Sequence, residues 1–286
     1  MKKWTPFISG AALAFSLSAC GQTAQPEAGG EASKEASGGF TAEEVYVKSQ
    51  EAAEEADSLH ADILTDQHMK MQPEGMEIDV AIDANMDIIR NPEAFHHQSE
   101  TSIRSDDIQN ETPASMEMYF TEEGLYMYEA PLDMWLKLQD EAVGDFKLLA
   151  DQQSADPAHQ LKELGAFAKD FALEETGEEY ILRLESSGEE FYPLMVEQLK
   201  KTFGQMEIGT PMNSEGMNIR SSRYEFRLDK NSFRVKNLKM DADLEVEIDE
   251  ETMSVQSSVE AVYSKYDEIG EITLPDKVTE QAQILE

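Results

Sequence analysis

The sequence predicts an α+β fold, a large antiparallel sheet of about 10–11 strands with helices laid across one face. Three observations predict it. Apolar and polar residues alternate with a period of two over long stretches, as in a sheet with one dry and one wet face. Shorter stretches carry apolar residues at spacings of three and four, the helical period. Beyond residue 39 no second low-complexity linker and no clear repeat interrupts the chain, so 40–286 reads as one domain.

The first 39 residues are of another kind. Lys2 and Lys3 precede a short apolar run over 7–17, well below the ~20 residues that a membrane-spanning helix needs. The run ends in Leu17-Ser18-Ala19-Cys20, so 1–19 reads as a signal peptide. Those four residues resemble the lipobox of bacterial lipoproteins. The resemblance implies that the Cys20 thiol receives a diacylglycerol and that cleavage makes Cys20 the new N-terminus. Cys20 is the single cysteine of the chain, so the folded part forms no disulfide. Residues 21–39 carry no large apolar side chain and cannot bury enough surface to fold. As a flexible tether they span about 24 Å.

Charge agrees with this address. Of 23 basic residues Lys2 and Lys3 leave with the signal, so 21 face 59 acidic ones, a formal −38. Such a body is repelled by nucleic acid and by anionic lipid. It needs a lipid to stay at a membrane, and two acyl chains suffice where one is marginal.

The body opens with a helix. Thr41 and Glu44 form a capping box, and Val45, Ser49, Ala52, Ala53, Ala56 and Leu59 recur at helical spacing. From Leu59 the period becomes two, with long strands over 59–71 and 76–88 separated by a turn at Gln72-Pro73-Glu74-Gly75. Shorter strands fit 94–104, 115–121, 125–130 and 135–138. The middle is helical: Val143, Phe146 and Leu149, then Leu161, Leu164, Phe167, Ala168 and Phe171, with Asp156-Pro157 as break and helix start. A strand over 180–185 leads to a helix whose Phe191, Leu194, Met195, Leu199 and Phe203 share one face. Strands return over 224–228, 233–248 and 253–263, and Ile272-Thr273-Leu274-Pro275 closes the domain. Between Val235 and Leu238 the apolar parity changes from odd to even, which predicts a bulge near Lys236-Asn237.

No catalytic constellation stands out. The chain has no Gly-x-Ser-x-Gly elbow, no His-Glu-x-x-His, no phosphate-binding glycine loop and no Cys-x-x-Cys, so it reads as a non-enzyme without a cofactor. His60 and His68 share a strand face but lie about 26 Å apart along it, too far for one zinc ion. His96 and His97 point to opposite faces, and His159 opens a helix. Solvated histidines are the favoured reading, with a cross-strand site using His68 left open. Asp241-x-Asp243-x-Glu245 looks like a calcium loop, but the glycine at its sixth position is missing and strand alternation continues. A water-facing sheet surface explains that ladder better, and no metal site is assigned.

The order of helix, six strands, helices, strand, helix and three or four strands resembles the LolA-like lipoprotein carriers and the LppX/LprG-like lipoproteins. The segments "GFTAEEVYVKSQEAAEEADSLHAD" and "ITLPDKVTEQAQ" resemble the two ends of a family of uncharacterised Gram-positive lipoproteins. The resemblance implies a strongly curved sheet, half a barrel, with helices across its concave side and room for acyl chains between them. Fourteen methionines follow Met1, and many share the inward parity, a composition suited to irregular, flexible apolar guests. The expected ligand-binding set is Met69, Met71, Met86, Met116, Met118 and Met127 on the strands, faced by Phe191, Leu194, Met195 and Phe203; Met76, Met240 and Met253 belong to the same stripe. Two readings of function stand: a membrane-anchored extracytoplasmic lipoprotein holding lipid acyl chains or another hydrophobic molecule, or an interaction or envelope-sensor module that contacts an envelope protein and holds no ligand. Either way, Cys20→Ala is expected to move the protein from the membrane fraction to the soluble one, and globomycin to block processing of the wild type. A wild type that stays fully soluble overturns the anchor.

Overall fold

The computed structural model of the chain describes residues 39–73, 75–105, 113–139, 143, 156–186, 217–248 and 251–285. They form one open, curved sheet of twelve strands in the order β12-β6-β5-β4-β3-β2-β1-β11-β10-β9-β8-β7. The first meander runs through β1 (Ser58–Gln72), β2 (Glu77–Arg90), β3 (Glu93–Ser105), β4 (Ala114–Thr121), β5 (Gly124–Glu129) and β6 (Met134–Leu138). The second runs through β7 (Ala172–Glu175), β8 (Glu179–Ser186), β9 (Met217–Asp229), β10 (Val235–Ile248) and β11 (Glu251–Ser264). The two meet where β1 pairs with β11, from His60↔Ser264 to Gln72↔Thr252. Every neighbouring pair is antiparallel except the last, in which β12 (Gln283–Leu285) lies parallel to β6.

Alternation decides which side of each strand is dry. On β1 the odd residues Leu59, Ala61 and Ile63 enter the main core, and the pairing carries that face across to Tyr263, Ala261, Leu238 and Phe226. Helix α1 (Ala42–Glu54) closes on the same face with Ala42, Val45, Tyr46, Ser49 and Ala53 buried. Its capping box forms as expected: Glu44 N–H donates to Thr41 Oγ1 at 3.2 Å, and Thr41 N–H donates to Glu44 Oε2 at 2.8 Å. Helix α2 (Pro157–Glu163) starts where Asp156-Pro157 predicts, with the Asp156 carboxylate accepting Ala158 N–H at 2.9 Å. The hydroxyl of the buried Tyr46 donates to the Leu161 carbonyl, one of the acceptors that the C-terminal end of α2 leaves unpaired.

Three features differ from expectation. Helical spacing through Phe171 is not followed: after α2 the chain tightens into a 3-10 turn over Leu164–Phe167, where Gly165 is a poor helix former. Phe171 lies beyond that turn and packs on Tyr46 and Phe226, with ring centroids 5.1 and 6.1 Å apart. The strand count rises to twelve because β7 and β12 are too short to show a period. Residues 272–275 do not close the domain: helix α3 (Asp276–Gln281) follows and leads into β12. There Val278, wholly buried, joins Tyr119, Tyr126 and Trp135 in a second core, with Ile272 and Leu274 against it. Those tyrosines have the opposite parity from Met118, Phe120 and Leu125, so this core sits on the other face of the sheet.

The expected bulge is present. Val235 pairs with Leu228 and Asn237 with Arg227, so Lys236 is the extra residue and the apolar set of β10 stays on the dry side. A second register shift, beside Asp243 and Leu244, leaves Arg220 of β9 without an opposite number. Among the described residues no helix is long and apolar enough to cross a membrane. Tyr46→Phe is expected to lower the unfolding free energy by about 1–3 kcal/mol, because it strands the Leu161 carbonyl in the core. Urea denaturation reads this as a lower midpoint at unchanged slope.

Candidate functional site

Register sorts the predicted methionines into two groups. Met86 of β2 stands opposite His97 of β3, His97 opposite Met118 of β4, and Met118 opposite Met127 of β5. Directly opposite residues of neighbouring strands point to one face, so the four side chains form a single row across four strands. Met116 occupies the next row, beside Ser99 and Glu129. Met69 and Met71 belong elsewhere. They pair with Val255 and Met253, eight or more residues along β1 from Ala61, the residue opposite Met86. That is about 27 Å along the strand. Met76 lies in the turn before β2 and is exposed, whereas Met240 and Met253 pack against the main core. Phe191, Leu194, Met195, Phe203 and Cys20 lie outside the described residues.

The cover over this face is uneven. Helices α1 and α2 bury it over β1 and β8–β11. Over β2–β5 a smaller cluster of buried Phe95, Phe120 and Leu125 forms, with Met86, Met118, Leu138 and Val143 packed round it, and Ala84 and Ser99 are buried in the adjoining row. Alongside, Ile103 is 41% and Met116 39% exposed, and Ile78, Val80 and Ile82 are half-buried. Apolar side chains therefore reach solvent on the face that is elsewhere the core.

His97, which the sequence pattern reads as a solvated histidine, is half-buried on this face. Its parity with Phe95 and Ser99, both buried, was the available signal. Burial, and behind it the charge of His96, pushes the His97 imidazole below its ordinary pKa. His96 itself points the other way, stacks on Tyr119 at 4.1 Å and has Nε2 3.1 Å from Glu117 Oε1. Burial opposes ionisation of Glu117, but hydrogen bonds from His96, Tyr119 and Gln98 outweigh it and hold the carboxyl below its usual range.

The polar face is laced by cross-strand pairs. Nδ1 of His60 lies 2.6 Å from Asp87 Oδ1, and Nδ1 of His68 lies 2.7 Å from Asp79 Oδ1. Arg220 holds Glu245 and approaches Asp243 to 3.8 Å, while Ser258 donates to Asp241 at 2.9 Å. Thus the acid ladder of β10 is met by arginine and serine. Among the described residues no three His, Cys, Asp or Glu side chains are grouped to hold a metal. A shallow groove of about 530 Å³ runs over this side past Asp66, His68, Asp79, Arg104, Asp243 and Gln256, a polar lining unlike an acyl pocket.

The family model of DUF6612, a family of unknown function, matches residues 41–283. The chain belongs to that family. No curated protein matches this DUF6612 chain. Among solved structures it is similar to LprF from Mycobacterium bovis, with 10% identity and a TM-score of 0.38 over 82% of this chain and 96% of that one. It is similar to lipovitellin, a structure concerned with lipid–protein interactions, at 8% identity and a TM-score of 0.34, covering 77% of this chain and 26% of that one. A DUF1329 family protein from Desulfovibrio piger matches at 8% identity and a TM-score of 0.24 over 79% of this chain and 92% of that one.

A lowered folded-state pKa means that His97 supports folding fully above the free imidazole value of about 6.5 and less as pH falls through it. His97→Leu is therefore expected to flatten the dependence of the urea midpoint between about pH 7.5 and about pH 5. A midpoint that falls as steeply as in the wild type removes His97 as the cause.

Proposed function

We propose that this chain is a lipid-anchored extracytoplasmic lipoprotein that holds a hydrophobic ligand, acyl chains by preference, on the dry face of β2–β5. One observation carries the reading. The same sheet face that α1 and α2 seal over β8–β11 presents Ile103 and Met116 to solvent over β3 and β4. Exposed apolar side chains on the dry face of a chain of net charge −36 suit the docking of something apolar. Each methylene removed from water there contributes about 0.8 kcal/mol, so a single acyl chain suffices for useful affinity. Methionine and unbranched apolar contacts tolerate chains of varied length and kink. The resemblance of Leu17-Ser18-Ala19-Cys20 to a lipobox supports the anchored reading.

Native mass spectrometry of protein purified gently from membranes is expected to show a bound lipid. Ile82→Asp and Ile103→Asp place a charge on the dry face at half-buried and exposed positions that the fold tolerates. Both are expected to lose the lipid and the uptake of a fluorescent fatty acid. A ligand-free wild type that takes up neither fatty acid nor hydrophobic dye overturns the proposal and leaves the interaction module.

A further inference from the structure

The row on β2–β5 contains an anomaly that an apolar ligand does not explain. His97 stands between two methionines on the dry face and has no hydrogen-bond or ion-pair partner among the described residues. A polar side chain set into an apolar surface without a partner costs free energy, and such groups in native folds call for an explanation. Valine or leucine would fill the same place without that cost.

We propose that Met86, His97 and Met118 form a binding site for a soft monovalent metal ion, Cu(I), with Met127 as a further thioether beside Met118. Adjacent strands lie about 4.8 Å apart, so both thioethers flank the imidazole from directly opposite positions. The unbranched methionine side chain has three free torsions and can lean its sulfur toward the ring from either side. Thioether sulfur with imidazole nitrogen is a donor set that selects Cu(I) and rejects the oxygen-seeking ions calcium and magnesium. The three donors are neutral, so a bound Cu(I) keeps its positive charge, and the half-buried Glu129 in the adjoining row faces the same side to balance it. The strongly acidic body favours any cation that approaches.

The proposal uses methionines that also belong to the expected lipid-binding set, and its readout is the metal rather than bound lipid. Titrated anaerobically against a chromogenic Cu(I) chelator, the mature chain is expected to withdraw one equivalent of Cu(I). X-ray absorption should then show both sulfur and imidazole nitrogen around the metal. Met86→Leu combined with Met118→Leu keeps the apolar volume and is expected to weaken Cu(I) binding by more than about 100-fold; His97→Gln should act in the same direction. Met76→Leu, in the exposed turn, leaves affinity unchanged. No withdrawal of Cu(I) by the wild type overturns the proposal. So does binding that survives the double substitution, or a spectrum without nitrogen.

Discussion

The ladder between β1 and β11 is the constraint on which the rest of the structure depends. It is the seam at which the two meanders join, and it pairs residues from opposite ends of the folded chain. A slip of one residue there would turn the dry face of one half into the wet face of the other. The end of the seam is pinned accordingly. Asp267 accepts Asp57 N–H at 2.8 Å and donates its own N–H to the Ser58 carbonyl at 2.9 Å, while Ser58 Oγ accepts Ile269 N–H at 3.1 Å. Arg90 adds a second pin. It grips Asp156 through Nη2 at 2.7 Å and the Ala56 carbonyl through Nη1, tying the end of β2 to the start of α2 and the end of α1. Pairing over so long a sequence separation closes late and slowly in folding.

With register set, the two halves of the sheet are covered on different sides. Over β8–β11 the helices bury the dry face. Over β4–β6 the segment through α3 buries the opposite face, around Trp135 and Val278. The dry face of β2–β5 falls between these two covers, and it carries both the methionine row and the exposed Ile103. Among the described residues, its openness follows from how the covering elements are divided between the two faces.

Much of this was legible in residue patterns because the signals were local. The Thr41/Glu44 box, the Asp156-Pro157 start and the parity change at Lys236 each involve a few neighbouring residues and physics that acts at that range. What escaped notice was non-local or too short. Strands β7 and β12 hold four and three residues, no more than two full periods. The second core escaped because Tyr119-Phe120 and Leu125-Tyr126 put large apolar groups on both parities, and alternation alone does not say that both faces are buried. The methionines were found by parity, but parity is the same along a whole strand. Only register shows that Met86 neighbours His97 and Met118 whereas Met69 and Met71 are far away along β1.

The sheet does not close on itself, and an open sheet has two free edges. Those edges are β7 and β12, the shortest strands of the twelve. Strand β7 carries Glu174 and Glu175 among its four residues, and Lys230 and Arg183 hold those carboxylates. A row of unpaired backbone donors and acceptors recruits other strands in proportion to its length and flatness, and like charge repels a second copy. Edges of four and three residues leave another copy little backbone to pair with, so half-barrels do not stitch themselves into a continuous sheet.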